Sequence, residues 1–556
     1  MKKTFLAMMP LALGLTACSD APAPASQVPA PASQATAQPQ TGFEQAYANI
    51  SAADLREYTK IISSDEFEGR SPTSVGEQRT IEFLVGEFKK LGLQPGNGDS
   101  YLQPVELLEI TADEDMSLQL GEQTLVYKEN MVAGTSREQA LVELKDSDVV
   151  FVGYGVNAPE YDWNDYAGVD VKGKTVIILV NDPGFENPDS GKFQGKTMTY
   201  YGRWTYKYEE ASRQGAAAAF IVHETAPASY DWSVVANSWT GPQYGLVKEN
   251  GNMDRVGVEG WISRDAAVQL FAERGLDFDA EKAKAMQAPY KKALGTTASV
   301  TVKAKLKRST SNNIIATLPG SKTPDEHLIY TAHWDHLGKH DNLEGEDKIY
   351  NGAHDNATGT ASALVMAKAF ASLSTAPERS VTFLVVTAEE QGLLGSKYYA
   401  EHPVIPLAKT VANINMDAMN LLGRTKDVSV IGMGKSELEQ YLEAAAQRQN
   451  RVLTQEGHPQ AGYYYRSDHF NFAKNGVPAL YAKGGEEPVD DATAQYRKKT
   501  NLVIRGCYHK VCDEFRDSWD FSGVQEDAQL LFDVGYQVAN SANWPQWSAT
   551  SEFQRK

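Results

Sequence analysis

From Asn312 onward the chain alternates short, almost wholly apolar runs with stretches of helical periodicity. Residues 328–332, 381–387, 411–416, 428–431 and 477–481 read as strands, and 358–373, 393–400, 437–449 and 524–539 as helices. Strands that are apolar on both sides must be covered on both faces. This pattern dictates an α/β unit with a mostly parallel central sheet between helical layers. In such sheets, reacting groups collect beyond the carboxyl ends of the strands. His333, the pair Glu389–Glu390 and Asp417 all stand at those ends.

The first half of the chain is organised differently. Residues 53–91 carry two apolar helical stripes separated by the loop 63–72, and Gly92 ends the second. Strand-like runs begin near Glu106. Residues 148–262 read as a compact α/β or β-rich unit, with strands at 149–155 and 175–180 and a helix at 206–214 leading into a strand at 220–223. Its aromatics Tyr200, Tyr201, Trp204, Tyr206 and Tyr208 either line a cleft or fill a core.

With 556 residues the chain is too long for one core, and two or three domains are expected. A net charge of −19 argues against nucleic acid as the main partner. The start of the chain combines Lys2 and Lys3 with an apolar stretch over 5–15 and a close at Leu15-Thr16-Ala17-Cys18. This reads as a secretion signal, too short for a membrane helix. The ending resembles a bacterial lipobox, which implies cleavage before Cys18 and lipid attachment to it. Ser19 lacks the aspartate that retains a lipoprotein in the inner membrane, so the outer membrane is expected. Residues 19–41, nearly all Ala, Pro, Ser, Gln and Thr, read as a flexible tether.

The chemistry is carried by a few short segments. His333 and Asp335, two apart at a strand end, share a face, so Asp335 is expected to orient His333. Asp355 sits in a loop before a helix, eased by Gly352 and Gly359, and its two oxygens could bridge two cations. Asn356 or Thr358 is expected to cap that helix. Two adjacent acids after an apolar strand are costly without cations, which suggests Glu390 on a metal and Glu389 as a base. Asp417 ends another apolar strand. Cys507-Tyr508-His509-Lys510-Val511-Cys512 offers a second imidazole in His509 and an oxyanion donor in Tyr508. Its two cysteines read either as a disulfide or as part of a metal site. Nitrogen and carboxylate donors without thiolate suit catalytic zinc.

In this order the segments resemble the M28 family of zinc aminopeptidases, from about residue 43 to 541, with the 148–262 unit resembling an inserted protease-associated domain. The resemblance implies a three-layer αβα zinc-peptidase fold. It assigns 42–110 and 303–545 to the peptidase domain and 111–302 to the insert. It also implies two zinc ions per chain: His333 and Asp417 on one, Glu390 and His509 on the other, Asp355 between them. Glu389 becomes the general base, Asp335 the partner of His333, and Tyr508 a transition-state contact. Arg466, in Arg466-Ser467-Asp468-His469, matches a segment near the substrate N-terminus, whereas His469 is not expected to bind metal. His354 departs from the family pattern and is expected to face outward. His336 and His340 receive no role.

These readings lead to an aminopeptidase that releases N-terminal residues from peptides, meeting the membrane only through its lipid. Three other readings stay open: a related carboxypeptidase, a dipeptidase, or a non-catalytic peptide-binding protein on the same scaffold.

Overall fold

The computed structural model describes residues 42–555. The signal segment, Cys18 and the tether expected over 19–41 lie outside the described residues. Among the described residues, no helix is long and apolar enough to cross a membrane.

After a short helical segment at Phe43–Ala48 come helices α1 (Ala52–Ile62) and α2 (Val75–Lys90). Each is opened by a serine, Ser51 or Ser74, whose hydroxyl accepts a backbone N–H three residues on. Strand β1 (Leu102–Ala112) leads into the insert, which contributes β2 (Met131–Gly134), β3 (Leu141–Phe151), β4 (Thr175–Leu179), α3 (Trp204–Arg213), β5 (Ala218–His223), β6 (Pro242–Leu246) and β7 (Val258–Ser263). The chain returns through β8 (Lys292–Leu318) to β9 (Thr323–His333), α4 (Thr358–Ala371), β10 (Arg379–Val386), α5 (Leu394–Glu401) and β11 (Thr410–Asn415). It closes with β12 (Asp427–Val430), α6 (Leu438–Arg448), β13 (Val452–Gln455), β14 (Ala479–Gly484), α7 (Asp491–Cys507) and α8 (Ser522–Ala539).

The parallel sheet expected from the apolar runs is present. β10, β9, β11 and β14 lie side by side in that order, all parallel. Antiparallel strands continue it on one side through β8, β1 and β6. On the other side β12 runs antiparallel to β14, and β13 pairs with β12. Every residue of β10 and β11 is buried, as their composition requires. In α4 only Lys368 and Ala371 escape burial, so its small and apolar residues pack all round. Phe370 of α4 meets Phe532 of α8 at 4.6 Å between ring centroids, and Tyr330 stacks on Phe383 at 5.4 Å.

A second sheet and core belong to the insert. Its strand order is β8–β3–β4–β5–β7–β2, with β3, β4, β5 and β7 parallel. The 27-residue strand β8 serves both sheets: 292–303 pair with β3 and 304–314 with β1. The domain boundary expected at 302/303 thus falls inside an unbroken strand. The insert also lends β6 to the peptidase sheet, so the two sheets are hydrogen-bonded neighbours.

The aromatic cluster of the insert mainly fills core. Tyr208 is core, its hydroxyl donating to the Gly260 carbonyl at 2.8 Å. Tyr200 packs across the seam, 5.2 Å from the ring of Phe470 and 6.1 Å from that of Tyr465.

Candidate metal centre and active site

Five separate segments deliver the site. β9 ends on His333, the loop before α4 carries Asp355, and the turn after β10 carries Glu389 and Glu390. Asp417 follows β11, and His509 lies two residues beyond α7. All six residues converge. His333 Nε2 lies 3.3 Å from Asp355 Oδ1 and 3.4 Å from Asp417 Oδ1. His509 Nε2 lies 3.2 Å from Asp355 Oδ2 and 2.9 Å from Glu390 Oε2. Asp355 therefore turns one oxygen toward each imidazole.

The chemistry of this cluster fits cations. His333 Nδ1 is 3.2 Å from the carbonyl oxygen of Asp335, which can only accept, so Nδ1 is the protonated nitrogen. The neutral ring then aims the lone pair of Nε2 at two carboxylate oxygens, an arrangement that needs a positive charge between them. Nε2 of His333 and of His509 are both buried without a hydrogen-bond partner. Burial alone would depress these imidazoles. Instead, Glu389, Asp355 and Asp417 raise His333 well above its usual range, and Asp355 and Glu390 raise His509 to about 10. The same carboxylates would draw a cation to these atoms. Two tight groupings of donor atoms result: His333, Glu389 and Asp417, and His336, Asp355 and Glu390.

The two glutamates differ in setting. Against the effects of burial and Asp355, His336 and His509 hold Glu390 down to about 2. Burial raises Glu389 well above the carboxylate range, and Asp417 and Glu390 add to that against His333. Asp335 meets His333 through its main chain, and its carboxylate has a second task. Its carboxylate stands 3.8 Å from His333 and accepts the backbone N–H groups of Glu389 at 3.1 Å and Glu390 at 3.4 Å. It holds the glutamate turn, and its main-chain carbonyl orients the histidine.

Cys507 and Cys512 are disulfide-bonded, their Cα atoms 5.2 Å apart. Tyr508 is exposed and stacks on His509 at 3.9 Å between rings. His469 lies outside both donor groupings. It is fully buried between Tyr464 and Tyr481, and burial lowers it to about 3. His354 is not outward-facing. It is half-buried, its desolvation lowers its pKa, and Asp513 and Lys483 stand in its field. Arg466 is half-buried over the Tyr463 ring.

The Peptidase family M28 description matches residues 313–532, the span that contains all six converging residues. This segment is an M28 peptidase domain. Aminopeptidase NAALADL1 of Mus musculus is 32% identical over 128 residues, 22% of this chain and 16% of its own. A probable leucine aminopeptidase 2 of Aspergillus oryzae is 22% identical over 492 residues, 86% of this chain and 82% of its own. The solved aminopeptidase from Aneurinibacillus sp. strain AM-1 aligns over 92% of this chain and 99% of its own, with 20% identity and a TM-score of 0.49. The first curated relatives are matched over only 16–24% of their length.

Several residues that position the M28 site carried no signal in the sequence. Arg70, fully buried, donates to the carbonyls of Trp334, Asn351 and Gly352 at 2.6–2.9 Å, and so ties the loop after β9 to the loop before α4. Asp513 accepts the N–H groups of His354 and Asp355 at 3.0 and 3.1 Å. His336 Nδ1 lies 2.6 Å from Glu390 Oε1. Only the adjacency of His336 to Asp335 could have drawn attention to it. The cap of α4 resolves in favour of Asn356, whose Oδ1 accepts from Gly359 N–H at 2.9 Å, while the Thr358 hydroxyl donates to the His354 carbonyl. Gly352, at φ +56°, leaves no room for a side chain: a Cβ would stand 2.5 Å from the His336 ring.

Proposed function

We propose that the M28 domain holds two zinc ions and removes N-terminal residues from peptides. The supporting observation is the pair of buried, unpartnered Nε2 atoms, each facing carboxylate oxygens from two different segments and sharing Asp355. His333 and Asp417 would hold one ion, Glu390 and His509 the other, with Asp355 on both. Bound there, the ions supply Lewis acidity for the scissile carbonyl and make a water molecule acidic.

The remaining steps belong to the chain's own groups. Glu389, which no ion pair or hydrogen bond of its side chain occupies among the described residues, takes the proton from the attacking water and returns it to the leaving amine. Asp335 fixes the turn that aims it. The hydroxyl of the exposed Tyr508, without a hydrogen-bond partner among the described residues, donates to the developing oxyanion. The acidic end formed by Glu389 and Asp417 receives the substrate's α-amine. The chain is further proposed to act in the cell envelope, lipid-anchored at Cys18.

The test combines aminoacyl-nitroanilides, N-acetylated counterparts and peptides with free C-termini, assayed before and after chelation, with zinc counted by mass spectrometry. Hydrolysis that needs a free amine and two zincs is expected. Cleavage of the acetylated peptides from their C-termini would replace this reading with a carboxypeptidase. Two bound zincs without any turnover would leave a peptide-binding protein.

A further inference from the structure

The seam between the insert and the M28 domain holds two guanidinium groups that no acid neutralises. Arg203 immediately precedes α3 of the insert, and Arg466 follows the turn Tyr463–Tyr465 of the M28 domain. They line one cleft, with Met198, Trp204 and Tyr230 among its walls. Among the described residues neither side chain forms an ion pair or donates a hydrogen bond, and the Nε atoms of both are buried without an acceptor.

Nearby acids do not fill this role. Glu552 is paired with Lys435 at 2.8 Å. Glu456 accepts from the Gly432 N–H at 3.0 Å; its charge reaches Arg466, but the two are not paired. Burial, reinforced by the charge of Arg466, lowers Arg203 to about 10. Two neighbouring half-buried cations whose Nε atoms lack an acceptor repel one another, and an anion at the cleft removes that cost. The N-terminus of the ten-residue helix α3 opens at the same place, with no side chain capping it, and adds its positive end.

Arg466 is tied to the site through the chain. Ser467, the residue after Arg466, donates to Asp417 Oδ2 at 2.6 Å. The enclosed part of the cleft is about 10 Å³, room for about one water-sized group, so a carboxylate would meet the two guanidinium groups at its mouth and not inside it. Paired guanidinium groups recognise carboxylates through their planar forks and repel an α-amine.

We propose that Arg203 and Arg466 form a carboxylate-binding subsite through which the insert selects negatively charged peptide substrates. The proposal rests on the M28 domain acting on peptides. Acids at the metal end and arginines at the seam then give the site a polarity that orients the substrate. The carboxylate comes either from the C-terminus of a very short peptide or from an Asp or Glu side chain.

Two matched pairs distinguish these sources: Leu-Leu against Leu-Leu-amide, and Leu-Glu-amide against Leu-Gln-amide. The wild type is expected to favour the carboxylate in at least one pair by about tenfold in kcat/KM. Arg203→Gln should collapse that ratio, while Arg203→Lys, which keeps the charge, should retain part of it. Ratios near one for the wild type in both pairs would overturn the subsite. So would an Arg203→Gln enzyme that loses activity equally on both members of a pair. Calorimetric titration of the same peptides into Glu389→Gln protein separates the two readings. A binding preference with no wild-type hydrolysis would sink the peptidase and keep the subsite; hydrolysis with no preference in either assay would do the reverse.

Discussion

Glu389 and Glu390 are adjacent in the chain, yet their surroundings give them opposite tasks. Glu390 is gripped between His336 and His509, 2.6 and 2.9 Å away, and stays ionised. Glu389 is buried among acids and favours its protonated form until a cation arrives. Glu389→Gln is therefore expected to keep both zincs and to lose about 10²–10⁴-fold in kcat; near-normal turnover would remove its role as base. Asp355→Asn should act differently, because one carboxylate faces both imidazoles. Zinc content should fall at both positions together, and two tightly held zincs in that variant would end the bridging assignment.

At the scale of elements, the site depends on loops held from a distance. The Cys507–Cys512 bridge closes a very short loop, for which chain-entropy arguments give about 2 kcal/mol. Its neighbours are Tyr508 and His509, so its larger effect is expected on geometry. Replacing both cysteines by Ser should move the melting temperature only modestly while zinc affinity and turnover fall far more. A large stability loss with unchanged kinetics would make the bridge a structural staple. Arg70 works in the same way for the loops that carry Asp335 and Asp355. Three of its four carbonyl partners lie 264–282 residues away, which is why no local spacing announces it.

For the whole molecule, acid stability provides a check on the packing of the central sheet. His327, in β9 and well away from the metal ligands, donates or accepts at 2.9 Å with Thr382, and burial lowers it to about 4. The unfolded chain would bind this proton at about 6.5 and the folded chain only near 4. The contribution is thus complete above pH 6.5 and lost as the pH falls toward 4. Over that window His327→Gln should flatten the decline in unfolding free energy, by an amount on the order of 1–3 kcal/mol. Parallel denaturant titrations from pH 7 to 4 measure it, and superimposable slopes for wild type and variant would refute the assignment.

The parallel sheet was legible in the sequence because strands buried on both faces must be apolar throughout, and β10 and β11 are. The ligand candidates were legible because an acid or imidazole at the end of such a strand is hard to explain otherwise. Helix α7 was not, since only Thr500 and Cys507 of its seventeen residues are buried and no apolar stripe marks it. The sharing of β8 between two sheets was invisible too, because strand propensity does not record which neighbour a strand pairs with. What the tertiary structure alone decided is mutual placement: Asp335 turned to the glutamate backbone, His336 set against Glu390, Arg203 brought beside Arg466. Those contacts join residues up to 263 positions apart for the arginine pair, and their energies come from desolvation and charge at short range, which no local pattern of residues encodes.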